Sequence, residues 1–187
     1  MATKAGKGGA RRWSGWRIAG WSLPVLLLLL PLVAMQFSDE VHWTAADFVF
    51  AAVLFGSVGL AFELIVRKSN SLAYRFGAGT AVLATLLTIW VNGAVGMIGS
   101  EDNPYNLLFG GVLFVALMGA VLARLEAPGM VPAMVVTAIA QAATGAFGFT
   151  TDVLGATYSM AFAGVWLLAA ASFWNAAREQ ASVDASR

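Results

Sequence analysis

Five polar side chains within apolar stretches are the strongest candidates for chemistry in this chain. Thr85, Thr88 and Asn92 follow one another at steps of three and four, and Gln141 and Thr144 lie three apart in a later stretch. Such steps place residues on one face of an α-helix. Two facing stripes of hydroxyls and amides would form a polar path for a small solute or ion between two helices.

The same residues also fit a purely structural role. Small side chains let helix backbones approach closely in lipid, and amides such as Asn92 and Gln141 form interhelical hydrogen bonds there, each worth about 0.6 to 2 kcal/mol. Membrane helices pack in this way whether or not they transport anything. The sequence therefore favours a packing seam, with a transport path as the alternative.

Glu63 is the one carboxylate that we predict inside a membrane-spanning helix, about one turn from its cytoplasmic end. Ionisable groups in such positions are costly and often serve as proton relays or ion ligands. However, Glu63 precedes Arg67 by four residues, which is the favoured order for an ion pair along a helix. We predict a structural ion pair of Glu63 with Arg67, to which Arg124 can also contribute, and we keep a proton-coupled role as the alternative.

The chain lacks the residue patterns of common enzymes and cofactor sites. Cysteine is absent and His42 is the single histidine, which removes thiolate nucleophiles and Cys-ligated metals. The sequence contains no nucleophile elbow, zinc-protease or P-loop motif. Residues 101–103 offer hard oxygen ligands, but too few to close a calcium site. We therefore expect no enzymatic activity, no bound metal and no cofactor.

The composition identifies lipid as the solvent for most of the chain. Hydrophobic residues make up 59% of the sequence and charged residues 11%, against about 25% charged in soluble domains. A soluble fold cannot bury that much apolar surface. The net charge of +1 gives no reason to expect nucleic acid as a partner.

The basic residues predict the topology. All 11 Lys and Arg residues lie in 1–17, 67–75, 178–187 or at Arg124. Each apolar stretch between them is long enough for two crossings of about 20 residues, and basic segments are retained on the cytoplasmic side. We predict an all-α integral membrane bundle of about six transmembrane helices arranged as three hairpins, with both termini cytoplasmic.

The predicted helices form one transmembrane domain over 18–177, between a basic cytoplasmic tail at 1–17 and a second cytoplasmic tail at 178–187. A helix start is expected at Pro104, because Asp102 or Asn103 is a good N-cap and proline suits the first helical position. The helices are expected at about 18–37, 45–66, 74–98, 104–124, 130–149 and 154–176.

Part of the chain, about residues 60–145, resembles a family of uncharacterised bacterial multispanning membrane proteins. The resemblance rests on residues 62–64 with 67–69, on 90–99, on 101–107, and on the turn at 123–130. Residues 90–107 are its most specific part. It implies a bacterial cytoplasmic membrane protein, and it implies no activity and no functional residues.

Three functions follow from these patterns, in order of preference. The first is a structural, assembly or accessory role exerted through helix–helix contacts, with the lipid bilayer, other membrane subunits or a second copy of the chain as partners. The second is a small transporter or channel with a polar path between the third and fifth helices. The third is a membrane enzyme that acts on lipid.

Overall fold

The computed structural model describes residues 15–38 and 41–187, and all regular structure in this part of the chain is helical. Most of the predicted basic tail at 1–17 and the acidic pair at 39 and 40 lie outside the described residues. The chain divides into two compact units, Met1–Leu60 and Ala61–Arg187.

The first unit contains α1, Gly15–Ala34, and the beginning of α2, Ala45–Lys68. Asp47 and Thr44 cap α2 reciprocally. The Asp47 carboxylate accepts hydrogen bonds from the Thr44 backbone N–H at 2.7 Å and from its hydroxyl at 2.8 Å. Such a capping box satisfies backbone donors that the first turn leaves free. The structure confirms the predicted start of the second helix at 45, and this capping box explains why the helix begins there.

The second unit contains the last two turns of α2 and four further helices. A 3-10 turn, Pro104–Leu107, leads directly into α4, and a second one, Gly148–Thr150, follows α5. The helices are α3, Leu72–Ala94; α4, Leu108–Leu122; α5, Ala127–Phe147; and α6, Val153–Ala185. Asn103 is the N-cap before Pro104, as predicted, and its side chain accepts a hydrogen bond from the Tyr105 N–H.

Several predicted helix ends differ from the structure, and three of the differences have identifiable reasons. α3 ends at Ala94 rather than 98, because Gly96 adopts a left-handed conformation with φ of +77° and turns the chain away. α5 starts at Ala127 rather than 130, because Pro128 occupies the first turn, where its missing N–H costs nothing. α6 continues to Ala185, so most of the predicted tail at 178–187 is helical.

Helix α6 packs against both α3 and α5, and α4 packs against α5. Glycines permit the closest approaches, as is common between membrane helices. A Cβ atom added to Gly145 would lie 2.9 Å from the Met160 backbone nitrogen, and one added to Gly77 would lie 3.1 Å from the Ala169 oxygen. Trp166 and Phe173 of α6 are fully buried within this core.

Five described helices are long and apolar enough to cross a bilayer, and α1 contributes a shorter apolar stretch, Val25–Ala34, within its described part. Only 17% to 39% of each of the five apolar windows is buried. Most of their apolar surface therefore faces outward, as lipid-facing surface does. The prediction of an all-α, multi-pass membrane protein is confirmed, and the hairpin order and the side of the termini stay predictions.

Candidate functional site

Gln141 joins α5 to α6 in the middle of the second unit. Its side chain is fully buried, and Nε2 donates to the backbone oxygen of Ser159 at 3.1 Å. Its Oε1 has no hydrogen-bond partner among the described residues. One half of the amide therefore acts as an interhelical clasp, and the other half is a buried acceptor without a donor.

The threonines of the predicted stripes bond within their own helices or are buried between helices. Thr85 and Thr88 of α3 donate to the backbone oxygens of Ala81 and Ala84, at 2.9 and 2.8 Å. This bond to the carbonyl four residues earlier satisfies the hydroxyl locally. Thr144 of α5 is buried.

Asn92 lies near the end of α3 and bonds to the start of the next element. Its Nδ2 donates to the backbone oxygen of Asn106 at 3.0 Å, and its buried Oδ1 has no partner among the described residues. The predicted stripes therefore engage different neighbours, since Gln141 bonds to α6 and Asn92 to the 3-10 turn before α4. Whether the stripes also form a path stays a prediction.

The predicted ion pair forms between two of its three members. Arg67 donates through Nε and Nη2 to Oε1 of Glu63, at 2.9 and 2.8 Å. The side chain of Glu63 is 20% exposed and that of Arg67 is 61% exposed. The guanidinium of Arg124 makes no hydrogen bond or ion pair with any described residue and is not part of this pair.

A second ion pair, which the sequence reasoning missed, braces the turn between α4 and α5. Arg124 and Leu125 both have left-handed backbones, with φ of +51° and +56°. For non-glycine residues this costs about 1–2 kcal/mol each. Lys68 pairs with Glu126 and also donates to the Arg124 backbone oxygen at 3.4 Å. Only the charges of Lys68 and Glu126 could have indicated this contact, and a separation of 58 positions along the chain gives no sign of it.

Tyr74 and Arg75 make further hydrogen bonds at the same end of the second unit. The Tyr74 hydroxyl donates to the Leu125 backbone oxygen at 2.7 Å. Arg75 donates to the backbone oxygen of Ser69 at 2.8 Å and to the Asn70 side chain at 3.1 Å. The loop between α2 and α3 and the turn between α4 and α5 are thereby tied together.

The buried side chain of Asn106 organises the loop between α3 and α4. Its Oδ1 accepts hydrogen bonds from the backbone nitrogens of Met97 and Ile98, both at 3.0 Å. Its Nδ2 donates to the oxygens of Ile98 and Ser100, at 3.3 and 2.7 Å. An asparagine with all four hydrogen-bonding positions used fixes the path of this loop. Nothing in the sequence distinguished it from Asn103.

Asp152 links that loop to the start of α6. Its Oδ1 caps the helix by accepting from Leu154 and Gly155, at 3.1 and 3.0 Å, and its Oδ2 accepts from Gly99 at 2.9 Å. The backbone N–H groups of Gly155 and Gly99 lower the pKa of Asp152 below its usual value, because they stabilise the carboxylate.

No protein-family model, no curated protein and no solved structure matches the chain. The resemblance over about residues 60–145 therefore stays a prediction.

Proposed function

We propose that this chain is a structural, assembly or accessory protein of the bacterial cytoplasmic membrane, which acts through helix–helix contacts. The proposal rests on the hydrogen bonds that the residues of the polar stripes make. The Thr85 and Thr88 hydroxyls bond to their own helix, and the donor of Gln141 bonds to the backbone of α6. These are the contacts of a packing seam.

The contacts of the second unit support the proposed placement of its loops. Lys68 meets Glu126, and Ser71 donates to Glu179 at 2.7 Å, so the loop after α2, the turn after α4 and the last part of α6 meet at one end. The Gly99–Asp152 bond joins the loops after α3 and α5. We propose that the Lys68 end is cytoplasmic, because basic residues gather there, and that both termini are cytoplasmic.

The outward surface provides a means of acting on a partner. Large apolar side chains, including Val136 and Ile139 of α5, are more than half exposed. In the membrane such a surface contacts lipid, other subunits or a second copy of the chain. Copurification of defined subunits in mild detergent would support an accessory role.

A transporter or channel remains the second candidate because two buried acceptors have no donor. Oδ1 of Asn92 and Oε1 of Gln141 lack partners among the described residues, and each such group costs about 1–3 kcal/mol unless a water or a solute satisfies it. Ser159, which accepts the Gln141 bond, lines a cavity of about 410 Å³. A hydrated path would use these groups.

Flux through liposomes separates the two functions. The purified protein is reconstituted with pH-sensitive and potassium-sensitive dyes inside, and the Asn92→Leu and Gln141→Leu variants are compared with the unchanged protein. Thr157→Val is the control, since Thr157 is exposed and bonds to its own helix. Our proposal expects no flux from any of them and a changed melting temperature or oligomeric state for the two Leu variants. Flux that both Leu variants abolish, while remaining folded, would establish transport instead.

A further inference from the structure

A cavity of about 380 Å³ lies among the last two turns of α2 and helices α3, α4, α5 and α6. Alanines such as Ala78, Ala81 and Ala120 create the space on the surrounding helices. Its volume falls within the range of about 300–1,000 Å³ that ligand pockets occupy. Since protein interiors hold few voids larger than a water molecule, and water avoids apolar ones, this space suits an apolar occupant.

The cavity runs from a buried interior to a polar end. Trp166 and Phe173 line it and have no exposed surface. Lys68 and Leu125 line it at the polar end, and Leu64 and Leu117 line it on its apolar flank; all four are exposed, so the cavity meets the surface beside them. Trp166 lies seven residues before Phe173 on α6, which places it about 10 Å further along the helix axis.

The polar end carries an excess of positive charge. Arg67 and Lys68 are each paired with a glutamate. Arg75 bonds to backbone and amide oxygens, none of which neutralises its charge. The guanidinium of Arg124 is exposed and makes no ion pair with a described residue, and Arg124 immediately precedes Leu125 at the rim. Glu179 is the further carboxylate that contacts this end, through Ser71.

The left-handed turn at Arg124 and Leu125 fixes the backbone at the polar end of the cavity. The bonds from Lys68 and Tyr74 hold the backbone oxygens of Arg124 and Leu125. With the backbone fixed, the Leu125 side chain lines the cavity. Strained backbone of this kind persists only where neighbouring contacts hold it, and it is often found at ligand sites.

We propose that the cavity binds one acyl chain of an anionic phospholipid, whose phosphate lies against Arg124. The interior, which is apolar except for Thr85 and the buried Nε1 of Trp166, selects the acyl chain. The unpaired cation of Arg124 at the rim selects a negative headgroup over a zwitterionic one. The proposal rests on the cytoplasmic placement of this end, where anionic lipids give the membrane surface a negative potential. That placement has its own test, by labelling of introduced cysteines.

Native mass spectrometry of the full chain in detergent, titrated with phosphatidylglycerol or phosphatidylcholine, measures binding. We expect selective retention of phosphatidylglycerol. Arg124→Gln should weaken it about fivefold, the effect of one basic residue near an anionic surface, whereas Arg187→Gln, at an exposed residue beyond the end of α6, should leave it unchanged. Ala120→Leu, which fills the cavity, should abolish it, and Ala143→Leu on an exposed surface should not.

A second measurement tests the proposal even if the Ala120→Leu variant does not fold. Phosphatidylglycerol with brominated acyl chains quenches tryptophan in contact with the chain, and the quenching at low lipid ratio should fall in Trp166→Phe. Three results would overturn the proposal: equal retention of phosphatidylcholine, unchanged retention in a folded Ala120→Leu variant, or unchanged quenching in Trp166→Phe. Equal thermal stabilisation by inorganic phosphate alone would also overturn it, in favour of a free phosphate site. Solute flux would refute the proposed function without affecting these outcomes.

Discussion

Replacing Asn106 by alanine should destabilise the second unit more than the same change at Asn103, in the same loop between α3 and α4. The change removes four hydrogen bonds. The Ile98 N–H is buried and the Met97 N–H partly buried, so water cannot easily replace the lost acceptor. At about 1–3 kcal/mol for each unsatisfied buried group, we expect a loss of about 2–5 kcal/mol in the free energy of unfolding.

The assay is reversible unfolding in detergent, followed by tryptophan fluorescence, with Asn103→Ala as the matched control. Asn103 makes one capping bond, to the Tyr105 N–H at 3.0 Å, and the loss of an N-cap costs about 1 kcal/mol. Both variants remove the same side chain from the same loop, so their difference isolates the buried network. If Asn106→Ala costs no more than Asn103→Ala, the account of this loop is wrong.

Three further changes test the helix packing, the turn between α4 and α5, and the N-cap of α6. Gly145→Ala should lower the melting temperature, because the added Cβ meets the Met160 backbone at 2.9 Å, whereas Gly164→Ala has open space and should raise it slightly through helix propensity. Tyr74→Phe removes the bond to the turn between α4 and α5 and should cost about 1 kcal/mol in unfolding titrations; an unchanged midpoint would count against the braced turn. Because the pKa of Asp152 is lowered in the folded state, its stabilising effect is complete above the unfolded value of about 3.9 and disappears as pH falls through the lower folded value. Unfolding measured from pH 7 to pH 2.5 should therefore depend less on pH in Asp152→Asn, and an identical profile would contradict this.

The sequence predicted the helices well because their apolar composition and their caps are local. Asn103 marked the start of the helical segment at Pro104 correctly. The end of α3 was misplaced because a side chain twelve residues beyond Ala94, that of Asn106, organises the loop that terminates it. The length of α6 was underestimated because a helix can continue past the apolar segment that crosses the bilayer.

The candidate site could be predicted only where both partners lie on one helix. Glu63 and Arg67 are four residues apart, and their pairing follows from helix geometry alone. The contact of Lys68 with Glu126 depends on how α2, α4 and α5 pack, which spacing does not encode. The same is true of Gln141, whose burial was foreseeable but whose bond to Ser159 was not.

Labelling of single introduced cysteines in intact cells tests the central claim most directly, and the chain has no cysteine of its own to interfere. Asn70→Cys lies in the loop between α2 and α3, and Asp102→Cys in the loop between α3 and α4. With a membrane-impermeant thiol reagent, we expect position 102 to react from the periplasm and position 70 to react only after the membrane is permeabilised. Labelling of position 70 in intact cells, or of position 102 only after opening, would contradict the proposed path of the chain through the bilayer.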